Sequence, residues 1–296
     1  MPRATADDFA PEVLQLFDRY VHGDLSRRGF LEGAQKYATG AAGAAGLLAA
    51  LSPQFAAAQQ VAPDDKRIAT RWVEFDSPQG NGKVRGLLAL PAGAKGRLPT
   101  VLVVHENRGL NPHIEDIARR LAVDGFAAFA PDALFTLGGY PGDEDKAREL
   151  FGKLDAPKTR ADFVAAARWL QALPEGNGRV GVVGFCWGGG ISNYLATQVP
   201  ELAAAVPFYG ANPPAEDVPK IRARLLIHYA GTDERINAGA PAYEAALKAA
   251  GVRHEIHHYP GTQHGFNNDT TPRFDASAAK LAWQRTIELF RAALKT

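Results

Sequence analysis

Cys186 is the only cysteine of the chain. It stands in Gly184-Phe185-Cys186-Trp187-Gly188-Gly189-Gly190, directly after the apolar run Arg179-Val180-Gly181-Val182-Val183. A β-branched run ending in Gly-x-Cys-x-Gly predicts a strand that turns sharply into a helix. Glycines two before and two after the thiol suit a turn so tight that a side chain there would meet strand or helix. Free cysteines in general are small buried hydrophobes more often than reactive groups. A thiol raised on such a turn, at the first turn of a helix, is instead placed to react as a thiolate nucleophile.

That strand–turn–helix is similar to the nucleophile elbow of the α/β-hydrolases, with cysteine where serine usually sits, and in that fold the acid and then the histidine follow along the chain. Downstream, Arg224-Leu225-Leu226-Ile227-His228-Tyr229-Ala230 reads as a buried strand and runs into Gly231-Thr232-Asp233-Glu234-Arg235. His254-Glu255-Ile256-His257-His258-Tyr259 alternates, breaks at Pro260-Gly261, and is followed by His264 in Thr262-Gln263-His264-Gly265-Phe266. Loops at the carboxyl ends of parallel strands open on one sheet edge. The expected roles are Cys186 as nucleophile, His264 as base and acid, and Asp233 as the carboxylate that orients the imidazole, with Glu234 as the alternative acid. The backbone N–H of Trp187 and, from the loop after Thr100–Val104, that of Asn107 are the expected oxyanion donors. His257 and His258 fall on opposite faces of one strand, and the eight histidines show no His-x-x-x-His or Glu-x-x-His spacing, so no metal site is expected. Neither a dinucleotide-binding glycine fingerprint after a strand nor a phosphate loop is present, and no cofactor is called for.

With 296 residues, 46% of them hydrophobic, the chain can bury one sizeable core. A formal charge of +1 without basic runs points away from nucleic acid, and a single cysteine rules out an internal disulfide. Residues 1–58 differ in character from 59–296. Ser26-Arg27-Arg28-Gly29-Phe30-Leu31 matches the twin-arginine export signature, followed by an Ala/Gly/Leu-rich stretch from Tyr37 to Leu51 and by Ala56-Ala57-Ala58, a small-residue cleavage site. This predicts export to the periplasm through the twin-arginine machinery. The stretch is too short and too rich in Gly and Ala for a permanent membrane span. Phe9, Val13, Leu16, Phe17 and Tyr20 repeat at helical spacing ahead of the arginines, and Glu32 follows them. The alternative is therefore an uncleaved helical arm on a cytoplasmic protein, packed on the domain or on a second subunit.

Strands are expected at 71–75, 84–90, 100–104, 127–130, 180–184, 204–209, 224–229 and 255–259, with a hairpin turn at Asn81-Gly82 between the first two. Helical patterns fall at 113–124, 143–154, 159–173, 189–198, 241–250 and 275–294, the last with Trp283, Ile287, Phe290 and Leu294 on one stripe. The fold class is α/β, an α/β-hydrolase fold whose mostly parallel sheet of about eight strands is covered by helices on both faces.

From about Asp64 onward the chain resembles the dienelactone hydrolases, or carboxymethylenebutenolidases. The resemblance rests on Val103-Val104-His105-Glu106-Asn107-Arg108-Gly109, Ala130-Pro131-Asp132, Gly178 through Gly189, Pro207-Phe208-Tyr209-Gly210 and the Asp233 and His264 loops. It implies a Cys186–Asp233–His264 triad that opens a small ester or lactone, and it singles out Glu106, whose carboxylate would disfavour the thiolate until substrate arrives. The family holds its substrate carboxylate with arginines after Ala-Pro-Asp and after the histidine. Here those places read Ala133-Leu134-Phe135-Thr136-Leu137 and Gly265-Phe266-Asn267-Asn268. Arg108 or Arg273 would have to substitute, and Phe135, Trp187 and Phe266 predict an apolar pocket. Two other readings are open on the same scaffold: a thiol sensor or binding protein without turnover, and a thioesterase or general carboxylesterase.

Overall fold

The computed structural model describes residues 4–38 and 43–295. Its centre is an eight-stranded sheet ordered β1-β2-β4-β3-β5-β6-β7-β8. The strands are β1 (Ile68–Ser77), β2 (Gly82–Pro91), β3 (Leu98–Val104), β4 (Ala127–Pro131), β5 (Gly176–Phe185), β6 (Ala204–Phe208), β7 (Arg224–Ala230) and β8 (His254–Tyr259). β1 and β2 form the antiparallel hairpin, with Ser77 opposite Gly82, and β2 runs antiparallel to β4. Every pairing from β4 to β8 is parallel. All eight expected strands and the hairpin are present, most of them a residue or more longer than the sequence pattern indicates.

Eleven helices are found among the described residues: α1 (Pro11–His22), α2 (Arg27–Ala34), α3 (Gly43–Leu51), α4 (Phe55–Ala58), α5 (Pro112–Val123), α6 (Glu144–Phe151), α7 (Ala156–Gln171), α8 (Trp187–Gln198), α9 (Glu234–Asn237), α10 (Ala240–Ala249) and α11 (Ala276–Ala293). Successive strand side chains point to opposite faces, and each face has its own helices. Val101 and Val103 of β3 pack with Ile114, Leu121 and Phe290 from α5 and α11. Leu102 and Val104 pack with Phe163, Leu170 and Leu195 from α7 and α8. A parallel sheet buried on both faces explains why its strands read as continuous apolar runs.

The N-terminal arm has a small core of its own, in which Val13, Phe17 and Tyr20 of α1 meet Phe30 and Ala34 of α2 and Leu48 and Leu51 of α3. Residues 39–42, inside the Ala/Gly/Leu-rich stretch, lie outside the described residues. Ser26 caps α2 by accepting from the Gly29 N–H at 3.0 Å. Arg27 and Arg28 are its first residues: Arg27 pairs with Asp145 of α6 at 3.0 Å, and Arg28 with Glu32 at 2.7 Å. The Tyr20 hydroxyl donates to Asp145, and Arg148 lies over the Tyr20 ring. No described helix is long and apolar enough to cross a membrane.

Candidate active site

β5 delivers Cys186 at φ 57 and ψ −115, outside helix and strand geometry, and α8 begins at the next residue. Glycine is needed on both sides of this turn. A Cβ on Gly184 would lie 2.0 Å from the Gly188 carbonyl oxygen, and one on Gly188 would lie 2.4 Å from that of Val104. The Cys186 N–H donates to the Phe208 carbonyl at 3.0 Å, which ties the turn to β6.

Asp233 follows β7 and His264 follows β8, and the two loops are laced together by Thr232, whose N–H and hydroxyl both donate to the Thr262 carbonyl at 3.0 and 2.9 Å. Asp233 uses both carboxylate oxygens: Oδ1 accepts from the Ile236 N–H at 3.3 Å as the cap of α9, and Oδ2 lies 2.5 Å from His264 Nδ1. Glu234 is exposed at the start of α9, so of the two acids it is Asp233 that meets the imidazole. With Nδ1–H committed to Asp233, His264 Nε2 faces the thiol.

A second imidazole meets the same thiol. His22, the last residue of α1, places Nε2 3.6 Å from Cys186 Sγ and 3.3 Å from His264 Nε2. Its Nδ1 lies 2.8 Å from the Asp18 carbonyl oxygen and 3.4 Å from the Asp18 carboxylate. The sequence reading missed His22 because it falls in the segment taken as leader or arm. The signal was there: Asp18 and His22 stand four residues apart on an amphipathic helix, a spacing that brings acid and imidazole onto one face.

Charge in this cluster follows from its packing. Burial pushes the Cys186 thiol up, but His264 and His22 outweigh it and bring it down to about 6. Burial would lower His22, yet Asp18 and Cys186 raise it to about 10. Burial would lower His264 as well, and Cys186 with Asp233 raises it. Asp18 is held below the usual carboxylate range: burial works the other way and is overcome by His22, Arg273 and His264. Cys186, His22 and His264 are the one group of three metal-capable side chains among the described residues, their donor atoms within 4.8 Å of one another. The Arg235 guanidinium, 3.1 Å from His22 Nε2, already brings positive charge to that face.

His22 stands between two spaces. An outer cleft of about 500 Å³ is lined by Trp187, Tyr194, Phe151, Arg160 and Arg235, and an inner cavity of about 60 Å³ by Glu106, Arg108, Asn268 and Arg273. Both reach Cys186, Asn107 and His264. Glu106 lines the inner cavity with Cys186, and its Oε2 accepts from Asn268 Nδ2 at 2.8 Å. The backbone N–H groups of Trp187 and Asn107 have no acceptor among the described residues.

Three expectations for substrate contacts need correction. Phe266 is 0% exposed and packs on Tyr259 and Tyr209, behind His264 rather than in the cleft. Phe135 sits in a short turn after β4 with the Arg85 guanidinium over its ring, and it lines neither of the two spaces that reach Cys186. Arg108, 5% exposed, donates to the Val21 carbonyl at 3.1 Å and so holds the end of α1. Arg273 does the same work from the other side, 3.2 Å from the Asp18 carboxylate. Trp187 does line the cleft, its ring stacked on His105 at 5.4 Å. Phe151, Tyr194 and Ile191 supply the apolar wall that Phe135 and Phe266 do not.

Comparison with known proteins places the chain in a family. A family model described as "Dienelactone hydrolase family" matches residues 84–294, and one described as "YqhI-like" matches residues 1–39. A "Putative hydrolase fragment YghX" of Escherichia coli (strain K12) is 52% identical over 36% of this chain and 90% of its own length. A "Putative carboxymethylenebutenolidase" of Synechocystis sp. is 34% identical over 74% of this chain and 95% of that protein. The crystal structure of a "Putative Dienelactone Hydrolase" from Klebsiella pneumoniae superposes with a TM-score of 0.67 at 32% identity, covering 75% of this chain and 99% of that one. For the segment 1–39 the match is YqhI-like, and nothing in the comparisons bears on export.

Proposed function

The chain belongs to the dienelactone hydrolase family, and from that premise we propose that it hydrolyses a small ester or lactone through Cys186, His264 and Asp233 and a thioester intermediate. The observation that carries this is the Asp233–His264 contact of 2.5 Å beside a thiol on a left-handed turn. Cys186 gives its S–H proton to the imidazoles beside it, leaving His264 as the imidazolium. The thiolate adds to the substrate carbonyl carbon, and the carbonyl π pair moves onto oxygen. The free N–H groups of Trp187 and Asn107 are the donors for that oxyanion, each worth about 3–4 kcal/mol of barrier. Collapse restores the carbonyl and expels the alkoxide, which takes a proton from the His264 imidazolium. His264 then draws a proton from water as hydroxide adds to the thioester, and the thiolate leaves. Asp233 keeps His264 in the tautomer with Nδ1–H and steadies the imidazolium.

Ring opening of a lactone differs from ester cleavage only in that the alkoxide stays tethered to the acyl group. The outer cleft suits a compact substrate with an apolar face toward Trp187 and Tyr194. The test is initial-rate hydrolysis of p-nitrophenyl acetate, a dienelactone and neutral lactones of similar size, with wild type beside Cys186→Ala. Turnover that vanishes in the variant supports the cysteine hydrolase. Full activity in Cys186→Ala overturns it, and no turnover on any substrate with an alkylatable Cys186 transfers the weight to thiol sensing.

A further inference from the structure

We infer that His22 is a second catalytic imidazole, which takes the Cys186 proton and holds the nucleophile as a thiolate–imidazolium pair. The inference rests on the cysteine mechanism proposed above and adds to it a residue from outside the hydrolase domain. The step is a proton transfer alone: the S–H bond breaks, the electron pair stays on Sγ, and the proton goes to His22 Nε2, 3.6 Å away, from which it passes to His264 Nε2 at 3.3 Å when the leaving alkoxide needs it.

Four features support it. The histidine ends α1, whose last carbonyls give the helix terminus partial negative charge and favour a cation there. Asp18, on the same helix, holds Nδ1, and Arg273 in turn holds Asp18. The loop after β3 grips the carbonyl of the neighbouring Val21 twice, through Asn107 Nδ2 at 2.9 Å and Arg108 at 3.1 Å. That loop is the one expected to supply an oxyanion donor, so the helix end and the site are fixed by the same residues. Lastly, Glu106 is engaged with Asn268, which leaves the two imidazoles as the thiol's polar neighbours.

Four positive or titratable groups oppose the charge on His22: His264 and Arg235 at its Nε2, and Arg108 and Arg273 on the wall of the inner cavity it shares with them. His264 is itself drawn toward the imidazolium form by Asp233 and Cys186, so one thiolate serves two imidazoles and the protons belong to the cluster rather than to either ring. Arg235 approaches Nε2 from α9, but its side chain is exposed and solvent screens it. Against these stand Asp18, Cys186 and, across the inner cavity, Glu106. Tyr209, also packed on His264, is held neutral: burial raises its hydroxyl well above the ordinary value.

With one cysteine in the chain, alkylation by iodoacetamide reports Cys186 alone. Its rate is measured against pH in wild type, His22→Gln and Asp18→Asn, alongside thiolate absorbance, kcat on p-nitrophenyl acetate and near-ultraviolet circular dichroism. The wild-type profile should rise near pH 6. In His22→Gln the midpoint moves up by about one unit, so alkylation on the acid side of the midpoint falls about tenfold. Asp18→Asn moves it the same way by less, and serves the same purpose should His22→Gln not fold. An unshifted profile in folded His22→Gln overturns the pair, as does an unshifted profile with rising kcat, which would make His22 an obstruction. Alkylation needs no ester, so a shifted profile without turnover on any substrate sinks the proposed hydrolysis and leaves the pair standing.

Discussion

Cys186 and Tyr209 are the two non-glycine residues with left-handed backbone among the described residues, at φ 57 and φ 37, and they follow neighbouring strands, β5 and β6. Both are pinned by main-chain bonds: Cys186 N–H to the Phe208 carbonyl at 3.0 Å and Tyr209 N–H to the His228 carbonyl at 2.7 Å. The sheet therefore forces an unfavourable conformation at Cys186 and at the aromatic residue packed on His264. Strain of this kind costs about 1–3 kcal/mol per residue and persists only where the surroundings over-determine it.

The strain at Cys186 gives a stability prediction that runs against side-chain loss. Cys186→Gly and Cys186→Ala should both lose turnover, yet Cys186→Gly should be the more stable by about 1 kcal/mol, since glycine accepts φ 57 without a Cβ. Thermal melts of the two variants side by side decide it. A lower melting temperature for Cys186→Gly would mean that the turn is not strained at this residue.

Gly188 tests the packing of the elbow helix. A Cβ here would lie 2.4 Å from the Val104 carbonyl oxygen and 2.5 Å from that of His105, both backbone atoms that cannot swing aside. Gly188→Ala should destabilise the fold by about 2 kcal/mol or more through overpacking. Gly190, whose Cβ would meet nothing closer than 3.5 Å, is the matched control and should tolerate alanine with little loss. Equal melting temperatures for the two variants would contradict the close approach.

Asp233 separates catalysis from folding because its two oxygens do different work. Asparagine can keep the cap of α9, whose acceptor is Oδ1. It cannot stabilise the His264 imidazolium and favours the wrong tautomer. Asp233→Asn should lower kcat by roughly 10²-fold or more with the melting temperature little changed. Loss of activity in step with loss of fold would assign Asp233 to structure, and unaltered kcat would remove it from the mechanism.

What the sequence made legible follows from position. Cys186, Asp233 and His264 each lie in the first few residues beyond a strand end, and parallel strands carry such loops to one edge, so their order and spacing were enough. Asp233 over Glu234 needed only the capping geometry of α9. The aromatic wall was not legible in the same way. Phe266 and Phe135 also lie in loops at that edge, but which way a loop side chain points depends on packing that no periodicity encodes. His22 was hidden by sequence distance, 164 residues from the thiol, and by composition, since the surrounding segment has the features of a leader.

Glu106 carries a signed expectation. Its carboxylate lines the inner cavity with Cys186, and a negative charge there disfavours the thiolate. Glu106→Gln keeps an acceptor for Asn268 and removes the charge. The thiol, already lowered to about 6, should titrate lower still, so alkylation below that pH should speed up by a few-fold. Slower alkylation in Glu106→Gln would show that Glu106 acts on Cys186 by some route other than charge.

Arg235 bears on substrate choice. The arginines by which the family holds a substrate carboxylate are absent from the two loops, and Arg108 and Arg273 are occupied with Val21 and Asp18. In the outer cleft the cationic side chains are Arg160 and Arg235, and Arg160 lies over the Tyr194 ring. Arg235 is the exposed cation nearest the reacting atoms, its guanidinium 3.1 Å from His22 Nε2. A substrate carboxylate would displace that contact and gain an ion pair, worth up to about 1 kcal/mol in a solvated cleft. Arg235→Gln should therefore raise KM for an anionic lactone by up to about fivefold and leave KM for p-nitrophenyl acetate unchanged. Equal effects on both substrates would place Arg235 in support of His22, and no effect on either would make the cleft indifferent to substrate charge at this wall.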